Sequence, residues 1–424
     1  MADSHLSLET LAKWLTGRLE HEEMLGVVVR HHLEMCASCR ERHEEIGRLQ
    51  AEIGHWDEEV AVVESRQAPE LWRRLTDHPF DEQIRLVEED ETLHAWGLCQ
   101  FLLRRSLESI FDDPSKALEL ADLAVRTSRQ LGDAYDPHWV FDLRARAFAY
   151  LGNARRVLGE LRSAEAAFRK AQSCLDRSTT GNSLVEAEVL DLKSSLRRDQ
   201  RRLGEALDLS DRAVLLYRES QDPHGIGKLL LKKAKILEEM GDFDQALTLL
   251  RESPSEIDRR REPRLFMSAR YNLLGCLALA GLYPEAEELL PEVKSLFREA
   301  AQPLDLVRLR WAEGNIALGL GRIDEAEDSF REVQGEFLER GMAYNAALVS
   351  LDLAILLAQE HRNRELKILA LELMPIFESR EIHREALATL LMFQRAVEED
   401  RLTESLAREI AGFLRQVKTD RNAG

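Results

Sequence analysis

The residues LGNARRVLGELRSAEAAFRKA, from Leu151 to Ala171, carry small side chains at regular intervals. Gly152 is followed by Gly159 seven residues on, by Ala164 five further, and then by Phe168 and Ala171. The order returns as Gly314, Gly321, Ala326 and Phe330, and in weaker form as Ala234, Gly241, Ala246 and Leu250, with Gly281 and Ala286 as another copy. Each position has a physical reason. A small residue on a first helix lets a second helix approach closely. The glycine between them ends the first helix in a conformation that a β-carbon penalises. The alanine on the second helix fills the gap. From Ala206 the anchor recurs every 40 residues, at Ala246, Ala286 and Ala326, and the same step lands on Leu366 and Leu406. Ala164 lies 42 residues before Ala206, and Ala117 is a further anchor at longer spacing.

Composition agrees with a helical reading. The 424 residues are 44% hydrophobic, 32% charged and 6% aromatic, rich in Leu, Ala, Glu and Arg. These residues keep most of their rotamer freedom in a helix. The signature resembles the tetratricopeptide repeat (TPR), lengthened by about six residues over the usual 34. Longer units of that kind are familiar in bacterial regulatory arrays. The resemblance implies an all-α fold, a right-handed α-solenoid of helix-turn-helix repeats, over roughly residues 90 to 418. The last units, where leucine replaces the small residues, are expected as caps.

Before the array, the segment His32-Leu33-Glu34-Met35-Cys36-Ala37-Ser38-Cys39 has different chemistry. On a helix, His32 and Cys36 share a face, and Cys39 follows at the next turn. One imidazole and two thiolates at this spacing suit a tetrahedral ion, and zinc fits the donor set. Of the nearby residues, His31 points away from the shared face, and His43 is a competitor. The segment resembles the zinc-binding anti-sigma-factor domain, which has an upstream His or Cys, a helix and turn, and then His-x3-Cys-x2-Cys. Residues 8–23 look like its first helix and turn. The resemblance implies the ligands His5, His32, Cys36 and Cys39, with His5 as the fourth. Four protein ligands close the coordination sphere, so the zinc is expected to be structural, a staple for a small core. Oxidation of the Cys36–Cys39 pair would eject it.

The expected organisation is a zinc-binding helical module over residues 1–55, a helical connector over 56–90, the repeat array over 91–418, and a tail over 419–424. In the connector Pro69 and Pro79 read as breaks, and Trp56, Trp72 and Trp96 as anchors onto the first repeats. Cys99, Cys174 and Cys276 read as small core residues.

Several function classes are disfavoured. A net charge of −19 opposes binding along a nucleic acid. The longest apolar runs, such as Leu387 to Phe393, fall short of a membrane span. The amino terminus has no basic start or apolar core of a signal peptide, so a cytoplasmic location is expected. Five cysteines form no disulfide framework. Nucleotide-binding glycine loops, a Gly-x-Ser-x-Gly elbow and a His-Glu-x-x-His pair are absent, so the chain is not expected to be an enzyme.

Laid on the repeat, the concave positions include Arg146, Asn153, Arg156, Ser195, Arg198, Lys228, Lys235, Arg308 and Asn315. This is a basic groove of a kind that grips acidic or carboxy-terminal peptides, although Glu188, Asp191 and Glu238 map to the same side. The expectation is a regulatory adaptor. Its array binds a protein or peptide partner, and its zinc module, by resemblance, a sigma factor. No direct nucleic-acid or membrane contact is expected, and homo-oligomers are compatible with the fold. The alternative is a repeat scaffold assembling a complex, with zinc purely structural.

Overall fold

The computed structural model describes residues 29, 31–33, 35–44, 58–110, 112–132, 135–260, 262–377, 393, 395–397, 403 and 405–412. Among them every regular element is a helix. The chain divides into two compact units, Met1–Lys193 and Ser194–Gly424. The first holds α1 (Glu58–Thr76), α2 (Phe80–Glu89), α3 (Trp96–Ser109), α4 (Pro114–Gln130), α5 (Pro137–Val157) and α6 (Leu161–Leu175). Helix α7 (Ser183–Asp199) crosses the boundary. The second unit continues with α8 (Leu203–Glu219), α9 (Pro223–Met240), α10 (Phe243–Glu252), α11 (Pro263–Leu279) and α12 (Tyr283–Ala300). It goes on with α13 (Pro303–Gly319), α14 (Ile323–Glu339), α15 (Ala343–Gln359) and α16 (Asn363–Phe377). Short 3₁₀ turns cover Glu91–Leu93 and Ser253–Glu256.

The helices run in pairs with a repeated local cause. Gly159, Gly241, Gly281 and Gly321 take the left-handed conformation at the turn inside a pair. After each, the backbone reaches back in a Schellman closure, as Arg322 N–H to Ala317 O at 2.9 Å and Asp242 N–H to Leu237 O at 2.9 Å. Arg201 and His361 stand at the same step without glycine and still adopt φ of 59° and 56°. Several first helices begin with proline at their first turn, where the missing N–H costs nothing: Pro137, Pro223, Pro263 and Pro303.

The anchors behave as their spacing requires. Ala117, Ala164, Ala206, Ala246, Ala286 and Ala326 are fully buried, and Leu366 nearly so. Leu406 is half-buried against the core that gathers Phe330, Phe337, Leu351 and Leu356. Cys99 and Cys276 are buried and Cys174 half-buried. Burial pushes the Cys99 thiol up to about 12 and that of Cys276 up to about 11, so both stay protonated core groups.

The connector departs from expectation at Pro69. Pro79 does precede α2, but Pro69 lies inside α1. An interior proline costs about 3 kcal/mol. What carries α1 through it is its seat on α3. Gly97 is so close that a Cβ there would lie 2.5 Å from the Glu64 backbone. Glu64 accepts the Gly97 N–H at 3.0 Å, capping α3 from outside, and takes the Tyr135 hydroxyl at 2.9 Å. The tryptophan anchors form as expected at Trp72, 6.4 Å from the Phe101 ring, and at Trp96, 6.1 Å from Tyr135. Trp56 lies outside the described residues.

Candidate metal centre

His32, Cys36 and Cys39 come together. Their ligand atoms lie within 4.8 Å of one another, with Cys39 buried and the other two half-buried. The local cause is a helix that restarts at the first cysteine. Cys36 N–H still bonds His32 O at 2.8 Å, and Cys36 O accepts Arg40 N–H at 3.0 Å to open the helix over 37–44. The Cys36 sulfur thus sits at a helix start, where N–H groups point outward. The Cys39 backbone N–H bonds it and holds the thiol below its usual range, with the Cys39 side chain, the Ser38 N–H and Arg42 adding to the effect. This is the thiolate environment that a metal ligand needs.

The donor set passes a test of fit. His32 Nε2 is buried with no hydrogen-bond partner, an unmet cost for a polar atom beside two sulfurs. Zn–S bonds of about 2.3 Å and Zn–N bonds of about 2.0 Å place tetrahedral donors about 3.5–4 Å apart, compatible with this triad. When bound, zinc would tie the imidazole and both thiolates into one cross-link. His43 is not part of the cluster, and burial lowers its basicity. His5, the fourth ligand implied by resemblance, lies outside the described residues.

The expected groove residues are not brought together as an open cationic strip. In the first unit, Arg146 Nε donates to Glu188 Oε2 at 2.7 Å. Arg156 folds back on Asn153, donating to its Oδ1 at 3.1 and 3.0 Å, and both residues are buried. In the second unit, Arg198 bonds Asp199 at 3.0 Å and lies 3.9 Å from Glu239, whose carboxyl is pushed up by burial against the pull of Arg198. Lys235 pairs with Glu238. Lys228 lies 3.9 Å from Glu262, and Arg308 lies 3.7 Å from Asp305. Asn315 gives its amide N–H to Trp311 O at 3.0 Å. Each of these cations already has a polar partner. For the buried or half-buried Arg146, Arg156 and Arg198 the physical reason is that a charge withdrawn from water is stable only when compensated. The exposed Lys235 and Arg308 meet acids three residues away on their own helices.

Sequence reading did not single out Arg129, Arg144, Lys170 and Arg177, which gather about Phe141 and Phe148 in the first unit. The available signal was weak. Phe141, Arg144 and Phe148 share one helical face, while Lys170 lies on α6 and Arg177 just beyond its end, and nothing in the spacing says that they meet.

Among the described residues no helix is long and apolar enough to cross a membrane. No curated protein matches the chain at a significant level. Solved structures with the same helical architecture include a Rap protein complexed with competence and sporulation factor. It is 13% identical with a TM-score of 0.54, over 77% of this chain and 94% of that one. Another is aspartyl phosphate phosphatase F from Bacillus subtilis, 11% identical with a TM-score of 0.53, over 90% of this chain and 97% of that one. At such identities these likenesses show the fold. The model of the MalT-like TPR region matches residues 137–407, which contain the αL turns and buried anchors described above. The chain is therefore a TPR-like repeat protein, and it belongs to the MalT-like TPR family.

Proposed function

We propose that this protein is a cytoplasmic regulatory adaptor that works by binding rather than by catalysis. Its repeat array takes a protein or peptide partner. Its amino-terminal module, held by a structural zinc on His32, Cys36 and Cys39 with His5 as the fourth ligand, engages a second regulator of the sigma-factor class. The observation that carries this reading is the convergence of the three donor atoms within 4.8 Å ahead of a long helical repeat array. A module of about 55 residues is short for a large core, and a bound ion would add stability. The Rap structure supports the array's half of the reading, since that protein is complexed with competence and sporulation factor.

The test is an affinity capture from the native host with the full-length chain, beside a chain carrying Cys36→Ser and Cys39→Ser, with zinc assayed on both. The expected result is about one zinc per wild-type chain, little on the variant, and a sigma factor captured by the zinc-loaded form alone. Capture of the same non-sigma proteins by both chains would assign the zinc to a cap and leave a scaffold. An absence of zinc from the wild-type chain would remove the metal from the reading.

A further inference from the structure

Four cations and two rings form a patch in the first unit. The Arg177 guanidinium lies 4.2 Å from the Phe141 centroid and Arg144 5.9 Å from it. Arg129 and Lys170 each stand 5.5 Å from the centroid of Phe148. Arg144 is anchored by backbone, its Nε donating to Ser128 O at 2.9 Å and its Nη2 to Arg129 O at 3.3 Å. Arg129, Lys170 and Arg177 are exposed. Among the described residues no carboxylate pairs with any of the four.

The arrangement contrasts with Arg126, Arg146, Arg201, Arg310 and Arg362, each of which is closed by a carboxylate. Like charges repel, and Arg144 shows it. Burial lowers its basicity first, and Arg177 and Arg129 lower it further. The patch lies where the last turns of α4 and α6 meet the first half of α5. Helix carboxyl ends carry partial negative charge, which with the ring faces holds the four cations in place. A guanidinium lying on a ring is already oriented, and its N–H edge remains available for a planar anion.

We propose that this patch docks an acidic segment of the protein partner, with Asp or Glu carboxylates received by Arg177, Lys170 and Arg129. The inference rests on the adaptor reading above and adds the partner's chemistry. A protein partner is favoured over nucleic acid by the chain's net charge of −19, which repels a long polyanion while leaving a short acidic segment to feel the local field.

The test uses the full-length chain and a fluorescein-labelled oligo-glutamate peptide, with oligo-glutamine and oligodeoxythymidine as comparison probes. Three chains are titrated by anisotropy: wild type, Lys170→Glu/Arg177→Glu, and Arg162→Glu/Arg169→Glu, which reverses two other exposed charges of α6. The expected result is oligo-glutamate binding that weakens with salt, falls at least about tenfold in the first variant, and stays within about twofold in the second. A Lys170→Gln/Arg177→Gln chain, checked by circular dichroism, separates lost binding from lost folding. Equal binding by all chains, equal binding of oligo-glutamine, or tighter binding of oligodeoxythymidine would overturn the proposal. The same chains then serve as baits in the host lysate. If Lys170→Glu/Arg177→Glu captures the wild-type partners undiminished, the patch falls and the adaptor reading stands. If wild type captures none, the adaptor reading falls, whatever oligo-glutamate does.

Discussion

The pair α5–α6 and the pair α7–α8 close the same joint with different chemistry. In the first, Gly152 leaves room for the fully buried Phe168 ring, and a Cβ at Gly152 would lie 2.8 Å from it. In the second, the residues at the same places are Ser194 and Ser210, buried with their hydroxyls 2.7 Å apart and both sharing Ala206 O. The same step along the chain gives Ala234 with Leu250, Leu274 with Leu290, Gly314 with Phe330, and Ala354 with Ala370. The aromatic ring is admitted where the facing residue is glycine, as at Gly152 and Gly314. The serine pair is admitted where one hydroxyl donates to the other and the second to Ala206 O. Leu274 with Leu290 shows that two larger aliphatic residues can also hold the places. The repeat preserves a spacing and a pairwise fit, and lets the identities drift. That drift is why some units look degenerate in sequence while their backbones do not.

The sharpest way to break this comparison is at Phe330, which is fully buried. Phe330→Ala should cost about 3–5 kcal/mol, read as a lower chemical-denaturation midpoint. Gly314→Ala alone should cost about 1–3 kcal/mol, because its methyl would meet the Phe330 ring at 2.8 Å. Combining Gly314→Ala with Phe330→Leu recreates the pair found at Ala234 and Leu250 and should score better than the sum of the single changes. Simple additivity would sink the pairwise account.

A second comparison is between the turns at Gly321 and His361. Each is followed by an arginine that reaches back to the preceding second helix: Arg322 to Glu287 at 2.7 Å, and Arg362 to Glu327. Hydrogen bonds from Arg362, then from Arg331, hold the Glu327 carboxyl below its ordinary 4.5. A lowered native pKa means that the folded chain binds fewer protons than the unfolded one. The stabilisation is therefore full above about pH 4.5 and is lost as pH falls through the native value. Glu327→Gln should cost about 1–2 kcal/mol at neutral pH. Its melting curve should converge on that of wild type under acid, and a constant gap across pH would contradict the charge account.

The smallest effect is expected at His361 itself. A side chain held at φ 56° costs about 1–2 kcal/mol, part of which glycine returns as chain entropy. His361→Gly should therefore gain about 0.5–1 kcal/mol, and Gly321→Ala should lose about as much. A loss at His361→Gly would mean that the imidazole, not the backbone, holds that turn.

Much of this was legible without coordinates. The alanine steps located the second helices, and the same count reached Leu366, buried at its predicted place. His32, Cys36 and Cys39 converge because the last stands seven residues after the first, with helical bonding on either side of Cys36. The groove was legible only in part. Glu188 and Glu238 were placed on its side, but not that Glu188, 42 residues after Arg146, would bond it, or that Glu239 and Glu262 would stand beside Arg198 and Lys228. Pro69 misled for a similar reason. Its local penalty is outweighed by contacts of α1 with Gly97 and Tyr135, far along the chain.

Sequence by itself determined the helices, their pairing, the 40-residue period and the His-Cys-Cys cluster, because each depends on backbone conformation and intervals of a few residues. Tertiary structure alone decided which cations are closed by acids of other helices, as Arg146 is by Glu188, and which gather on Phe141 and Phe148, where no carboxylate among the described residues pairs with them. Pairs such as Lys235–Glu238 and Arg308–Asp305 follow from spacing along one helix, but compensation between helices depends on distances that no such interval encodes.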